Sequence, residues 1–207
     1  MPIKAIIYDL DNTIYPVSAI GEKLFAPLFN LIIESNEHNN DIEAIKQAIM
    51  RTPFRLVAER FNFSTELTNK GIEVQNEMEY DEPIAPFDDY PEIYNIDTER
   101  FLVTTGFRKM QLSKIKHLGI ENDFREKHIV DPTVTTKKEV LADIVKRYNY
   151  KTDEVLVVGD DPESEIAAAK ALGITTVLYD KKEISKPEDA DYYITNFKEL
   201  KAIYTKL

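Results

Sequence analysis

Two aspartates near the start of the chain, Asp9 and Asp11, have the type and spacing of catalytic carboxylates. They follow the apolar residues 3–8, which indicate a buried strand of a parallel sheet. In an extended chain, residues two apart leave the same face. Two such carboxylates repel each other unless a proton or a cation such as Mg²⁺ neutralises them. The alternative is a simple turn or helix cap, because Asp, Asn and Thr favour both.

Other oxygen-bearing residues and a lysine complete a set suited to phosphoryl transfer. One carboxylate can attack phosphorus, and a second can protonate the leaving oxygen. A hydroxyl and an ammonium group can hold the phosphoryl oxygens, and a divalent ion bound by acids can neutralise developing charge. The candidates end two later strands or begin a helix: Thr104, Thr105, Asp160, Asp161, and Lys137 or Lys138.

Strands and helices alternate over much of the chain, which predicts a parallel sheet with helices on both faces. The predicted strands are residues 3–8, 100–105, 128–131, 155–158, 174–179 and 192–194. The predicted helices between and after them are residues 108–118, 137–148, 162–172 and one from about 198. The carboxyl ends of parallel strands share one edge, where ligands bind. We therefore expect the candidate residues to meet there.

Residues 18–80 have only helical patterns, with an interruption or kink expected at Pro27. This block is too long for an ordinary crossover between two strands. We predict an α/β, doubly wound core formed by residues 1–15 and 86–207. A small all-helical cap, residues 16–85, is inserted after the first strand, over the carboxyl edge of the sheet.

Composition excludes several classes of partner. The 207 residues carry a net charge of −11, which disfavours nucleic acid and anionic membranes. An anionic substrate would need a local cation. Cysteine is absent, and neither a signal peptide nor an apolar stretch of about 20 residues is visible. We expect a cytoplasmic protein, with its oligomeric state left open.

Four segments, in this order and strand context, resemble the four motifs of the haloacid dehalogenase superfamily. They are Asp9-Leu10-Asp11-Asn12-Thr13, Thr104-Thr105-Gly106, Lys137 and Gly159-Asp160-Asp161. The resemblance covers the whole chain and points to the phosphatase branch, which has a Rossmann-like core and a helical cap. The first motif and the residues after it also resemble the start of pyrimidine 5′-nucleotidase-like members.

The resemblance implies a role for each motif. Asp9 would be the nucleophile and Asp11 the general acid and base. Mg²⁺ would be held by Asp9, by the backbone carbonyl of Asp11, and by Asp160 or Asp161. Thr104, Thr105 and Lys137 would bind the phosphate of the substrate, a small phosphorylated metabolite.

This sequence departs from the superfamily pattern at three points. Thr105 stands where Asn is common, and the motif lysine is followed by Lys138 rather than proline. Lys137 is preferred because it lies just before Lys138-Glu139. In this position it resembles the lysine that begins the corresponding helix in related members. The second acid of the fourth motif is Glu165, which could hold a metal-bound water or simply favour the helix dipole.

Several other activities use a similar set of residues. A 2-haloacid dehalogenase also has an Asp nucleophile but needs neither metal nor second acid, so Asp11 and Asp160 argue against it. A phosphomutase would keep all these residues. A phosphoacceptor module without turnover would be shorter than this chain and would lack the helical insert. A degenerate, non-catalytic binding protein would have lost motif residues, and none is visibly lost here.

Overall fold

The computed structural model describes residues 2–181, 183 and 185–207. Within them, six parallel strands form one sheet in the order β3-β2-β1-β4-β5-β6. The strands are β1 (Ala5–Tyr8), β2 (Glu99–Thr105), β3 (Glu126–Val130), β4 (Val155–Gly159), β5 (Thr175–Tyr179) and β6 (Tyr192–Ile194). The predicted doubly wound parallel sheet is confirmed.

Strand β1 lies between β2 and β4, and this position sets the location of the site. Tyr8 is in register with Leu102 of β2 and with Val158 of β4. From β1 the chain proceeds outwards through β2 and β3 on one side, then through β4, β5 and β6 on the other. The strand order therefore reverses between β1 and β4, and a crevice for ligands opens at the carboxyl ends of the strands around such a reversal.

Helices follow the predicted pattern closely. They are α1 (Gly21–Leu24), α2 (Ala26–Ser35), α3 (Ile42–Ile49), α4 (Phe54–Arg60), α5 (Thr65–Glu77), α6 (Arg108–Leu118), α7 (Lys137–Arg147), α8 (Ala167–Lys170) and α9 (Phe197–Tyr204). Pro27 lies in the first turn of α2, so the predicted interruption separates α1 from α2. The predicted helix 162–172 begins instead as a π-helical turn, Pro162–Ile166, before α8. No helix of the described residues is long and apolar enough to cross a membrane.

Both faces of the sheet are covered, because alternate residues of each strand point to opposite sides. Ala5 and Ile7 of β1 share one buried cluster with Leu141 of α7 and Ala169 of α8. Tyr8 points to the other side, where its ring centroid lies 6.1 Å from that of Phe197 in α9. The apolar run of β1 is therefore buried on both faces.

The chain forms two compact units. The α/β unit comprises residues 1–16, 85–105 and 118–207, and the helical unit comprises residues 17–84 and 106–117. Most of α6 thus groups with the inserted helices, whereas the sequence analysis assigned it to the core. Hydrogen bonds account for this difference, since the amides of Tyr80 and Ile84 donate to Ser113 Oγ and to the carbonyl of His117.

The buried carboxylate of Asp89 lies in the segment that precedes β2. It connects this segment to β5 and to α9. It accepts hydrogen bonds from Tyr179 Oη at 3.0 Å and from the Phe197 amide at 2.8 Å. Lys181 Nζ lies 3.2 Å from Asp89 Oδ1, and the Asp89 side chain is only 2% exposed. The neighbouring Asp88 also pairs with Lys181, but its side chain is 85% exposed.

We expect Asp89→Ala to lower the free energy of unfolding by about 3 kcal/mol, because it leaves buried donors without an acceptor. Urea unfolding followed by circular dichroism measures this loss. Asp88→Ala is the matched control and should change stability by less than about 1 kcal/mol, since exposed ion pairs contribute little. Equal losses in the two variants would contradict the structural role given to Asp89.

Candidate active site

Asp9 lies directly after β1, and its backbone amide donates to the carbonyl of Val158 at 3.0 Å. This bond continues the β1–β4 ladder by one residue and fixes where the side chain begins. The side chain is buried and accepts a hydrogen bond from Lys137 Nζ at 2.8 Å. The same ammonium donates to Glu165 Oε2 at 2.7 Å. Lys137 therefore connects Asp9, just after β1, to Glu165, in the turn after β4.

The start of α7 positions Lys137. Thr136 and Glu139 form a capping box, with the Glu139 amide 3.2 Å from Thr136 Oγ1 and the Thr136 amide 2.8 Å from Glu139 Oε2. Lys137 is the first helical residue after this cap, and its side chain is 9% exposed. Lys138, which the sequence left as a second candidate, is exposed to solvent.

The Lys137 ammonium stays charged in this environment. Burial alone would lower its pKa, but the carboxylates of Asp9 and Glu165 outweigh burial and raise the pKa above that of an ordinary lysine. A buried cation thus lies beside the predicted nucleophile. It answers the requirement that an acidic protein provide a local positive charge for an anionic substrate.

Gly159, the last residue of β4, leaves the space in which Glu165 packs. A Cβ atom at this position would lie 2.1 Å from Glu165 Oε1. That oxygen accepts a hydrogen bond from the Asp161 amide at 2.8 Å. The Asp161 side chain accepts from the Glu163 amide at 2.8 Å and caps the π-helical turn. Asp161 thus has a helix-capping contact, while Glu165 turns back towards Asp9.

Three carboxylates form a cluster suited to a divalent cation. One oxygen each from Asp9, Asp160 and Glu165 lies within 4.8 Å of the other two. Three carboxylates and one ammonium leave an excess of negative charge, and hard cations prefer such oxygen ligands. The cluster contains Asp9 and Asp160 from the predicted metal set. Glu165 takes part in it, whereas the Asp161 side chain does not. The ligand predicted from Asp11 is its backbone carbonyl, which stays a prediction.

The pKa values of two carboxyl groups in the cluster reflect this excess of negative charge. Burial raises the pKa of Asp9 to about 7, against the lowering effect of Lys137 and with the help of Glu165. Burial, followed by the charges of Glu165 and Asp9, also raises the pKa of Asp160 well above that of an ordinary aspartate. A bound cation would relieve this repulsion.

Asp11 lies in a tight turn after β1, so the turn interpretation of the motif is confirmed, and the catalytic interpretation stays a prediction. Asn12 has a φ of 57°, and the Ile14 amide donates to the carbonyl of Leu10 at 2.9 Å. The Asp11 side chain accepts a hydrogen bond from the hydroxyl of Tyr15. Thr13 Oγ1 lies 3.5 Å from Asp160 Oδ1, which links this turn to the acidic cluster.

Thr104 and Thr105 end β2, the strand beside β1. Leu102 is in register with Tyr8, so Thr104 lies at the level just beyond Asp9. Thr104 is buried and Thr105 is half-buried. The predicted phosphate-binding hydroxyls therefore lie at the same edge of the sheet as the acidic cluster.

Sequence reasoning missed two residues of the site and left a third open. Thr13, the last residue of the first motif, and Tyr15, two residues later, were not given a functional role. A tyrosine within an apolar stretch is typical of a core position, so its contact with Asp11 gave no distinct signal. Glu165 was noted with two alternative roles, and its contacts with Lys137 and the Asp161 amide place it in the cluster.

Comparisons with known proteins agree with this architecture. The sequence pattern of the haloacid dehalogenase-like hydrolase family matches residues 6–179. The chain is 25% identical over 195 residues to a glyceraldehyde 3-phosphate phosphatase of Methanopyrus kandleri, covering 84% of this chain and 83% of that protein.

Two solved structures share the fold. A haloacid dehalogenase-like family hydrolase from Streptococcus pneumoniae has a TM-score of 0.72 at 16% identity, with 98% of each chain covered. The protein YfnB of Bacillus subtilis, described as a HAD-hydrolase bound to magnesium, has a TM-score of 0.69 at 18% identity, with 99% of each chain covered. At such identities the likeness concerns the fold.

The chain belongs to the haloacid dehalogenase-like hydrolase family, since the family pattern spans most of its length. The predicted superfamily and the predicted hydrolase class are confirmed. The printed name of the relative from Methanopyrus kandleri agrees with the predicted phosphatase branch. The likeness of the first motif to pyrimidine 5′-nucleotidases stays a prediction.

The raised pKa of Asp160 predicts how pH affects stability. The folded protein binds this proton more tightly than the unfolded chain does, so ionising Asp160 costs folding free energy once the pH exceeds the ordinary aspartate range. Without divalent ions, Asp160→Asn should therefore raise the free energy of unfolding by about 1–2 kcal/mol at about pH 8, and by much less at about pH 4.

Urea unfolding at the two pH values measures this gain. Asp153→Asn, at an exposed carboxylate, is the control and should change stability by less than about 0.5 kcal/mol at both. A gain for Asp160→Asn that did not depend on pH would contradict the charge repulsion inferred for the cluster.

Proposed function

We propose that the protein is a Mg²⁺-dependent hydrolase of phosphoric monoesters that acts through an aspartyl-phosphate on Asp9. The observation that carries the proposal is the buried arrangement in which Lys137 bonds both Asp9 and Glu165, with Asp160 beside them. It combines a carboxylate nucleophile, a cation for phosphate and an acidic cluster for a metal ion. Asp11 supplies a second carboxyl group two residues from the nucleophile.

Two proton transfers by Asp11 would accompany two substitutions at phosphorus. In the first, an Asp9 oxygen forms a bond to phosphorus while the bond to the leaving oxygen breaks, and Asp11 gives that oxygen its proton. In the second, Asp11 takes a proton from water as the water oxygen attacks the phosphoryl group. Phosphate leaves, and the Asp9 carboxylate is restored.

Lys137, Thr104 and Thr105 are the proposed phosphate-binding residues. Their ammonium and hydroxyl groups would donate hydrogen bonds to the phosphoryl oxygens. Asp9 and Asp160 would hold Mg²⁺ with the backbone carbonyl of Asp11, and Glu165 supports this group through Lys137. When bound, Mg²⁺ neutralises the charge that develops on the phosphoryl oxygens.

The substrate is proposed to be a small phosphorylated metabolite in the cytoplasm. The helical unit, inserted after β1, would serve as a cap that excludes water and selects the leaving group. Relatives named glyceraldehyde 3-phosphate phosphatase make that triose phosphate the first metabolite to test. Nucleoside 5′-monophosphates come next, because of the first motif.

The alternative activities give different products. A 2-haloacid dehalogenase would release halide from a 2-haloacid without metal, yet Asp160 and Asp11 are in place here. A phosphomutase would convert one phosphate ester into another without releasing free phosphate. A phosphoacceptor module would be phosphorylated on Asp9 without steady turnover.

Hydrolysis of p-nitrophenyl phosphate tests the proposal first. We expect turnover that requires Mg²⁺ and that falls by at least about 10³-fold in Asp9→Asn, because the nucleophile is lost. Release of nitrophenol and of free phosphate, followed in parallel, also separates hydrolysis from transfer to another acceptor. Turnover that survives in Asp9→Asn would contradict the nucleophile assignment.

The adjacent lysines offer a matched pair for the phosphate-binding role. Lys137→Met should lower kcat/KM by at least about 10²-fold, since it removes the buried ammonium that faces Asp9. Lys138→Met changes the same side chain on the exposed surface and should stay within about 3-fold of the wild type. Circular dichroism verifies that both variants fold, and similar losses in both would refute the choice of Lys137.

A further inference from the structure

We propose that Tyr15 is a positioning residue for the general acid and base, Asp11. The hydroxyl of Tyr15 donates a hydrogen bond to Asp11 Oδ1. Tyr15 lies outside the four motifs that the sequence analysis identified. The inference rests on the proposed function, because it assigns Tyr15 a role through Asp11.

The backbone brings the two residues together within a short turn. Asn12 adopts a left-handed conformation, with a φ of 57°, which asparagine tolerates better than most residues. The chain then turns back so that Asp11 and Tyr15 form an isolated β-bridge. The Phe87 amide donates to the carbonyl of Ile14 at 2.8 Å and holds the returning segment from outside.

Burial makes this hydroxyl a fixed donor. Tyr15 is fully buried, whereas Asp11 is partly exposed. A tyrosine ring has few rotatable bonds, and close packing keeps a buried ring in one rotamer. The flexible carboxyl group is thus held by a rigid partner.

The hydrogen bond also distinguishes the two carboxyl oxygens. Oδ1 accepts from Tyr15, so the proton of the acid form belongs on Oδ2. The group that must protonate the leaving oxygen is then presented in one orientation. Positioned acids and bases contribute about 10²- to 10⁴-fold to such reactions, and this contribution depends on geometry.

Loss of the hydroxyl should therefore affect substrates unequally. A poor leaving group such as ethoxide needs protonation as its bond to phosphorus breaks, whereas p-nitrophenolate leaves with little help. A residue that acts only on stability would change both reactions alike. The dependence of rate on the leaving group separates the two roles.

The experiment compares ethyl phosphate with p-nitrophenyl phosphate, both with Mg²⁺, in Tyr15→Phe and the wild type. We expect kcat/KM to fall by about 10-fold or more for ethyl phosphate and by less than about 3-fold for p-nitrophenyl phosphate. Because the two rates come from one preparation, their ratio does not depend on how much of the variant is folded.

A double-mutant cycle and a matched control complete the test. In an Asp11→Asn background, Tyr15→Phe should lower the rate by less than about 2-fold, because its partner has lost its proton-transfer role. Tyr8→Phe removes another hydroxyl from a buried ring, one without a hydrogen-bond partner among the described residues. Its ratio of rates for the two substrates should equal that of the wild type.

The outcomes distinguish this inference from the proposed function. Equal losses for both substrates, or losses that multiply with those of Asp11→Asn, would overturn the role of Tyr15 and leave the hydrolase intact. A wild type without Asp9-dependent turnover would overturn the proposed function and this inference with it.

Discussion

The bond between Lys137 and two buried carboxylates is the interaction on which the site depends. The carboxylates of Asp9 and Glu165 are both buried and would repel each other. The Lys137 ammonium between them offsets part of that repulsion. Asp160 adds a third acid, so the balance stays negative. A cluster built this way suits a divalent cation. In the proposed function, an anionic phosphoryl group would be bound beside that cation and Lys137.

The strand order makes this cluster possible. Asp9, Lys137 and Glu165 are far apart in the chain and meet because β1 lies beside β4 at the reversal of the sheet. Each side chain has its own local support. The β1–β4 ladder extends to Asp9, a capping box begins α7 at Lys137, and Gly159 leaves room for Glu165. A substitution in any of these supports would move a functional group without touching it.

Family membership and chemistry rest on different observations here. The family pattern covers residues 6–179, and the solved structures share the fold at 16–18% identity. Such likeness leaves the reaction open, because one fold hosts several activities. The reaction proposed for this chain comes from its own acidic cluster and lysine. The overall charge of −11 agrees with that proposal, since the Lys137 ammonium beside Asp9 then offers a local positive charge for an anion.

The sequence by itself determined the strands, most helices and the placement of Asp9, Thr104 and Asp160 at strand ends, because hydrophobic periodicity and turn residues are local signals. It favoured Lys137 over Lys138 only through the family resemblance, since both suit a helix start, and packing then buries Lys137. It offered Asp160 or Asp161 as the second metal-binding carboxylate, whereas the observed cluster contains Asp160 and Glu165. It assigned residues 106–117 to the core and gave no sign of the contact between Tyr15 and Asp11. Those outcomes depend on which groups the folded chain brings within hydrogen-bonding distance, and only the tertiary structure decides that.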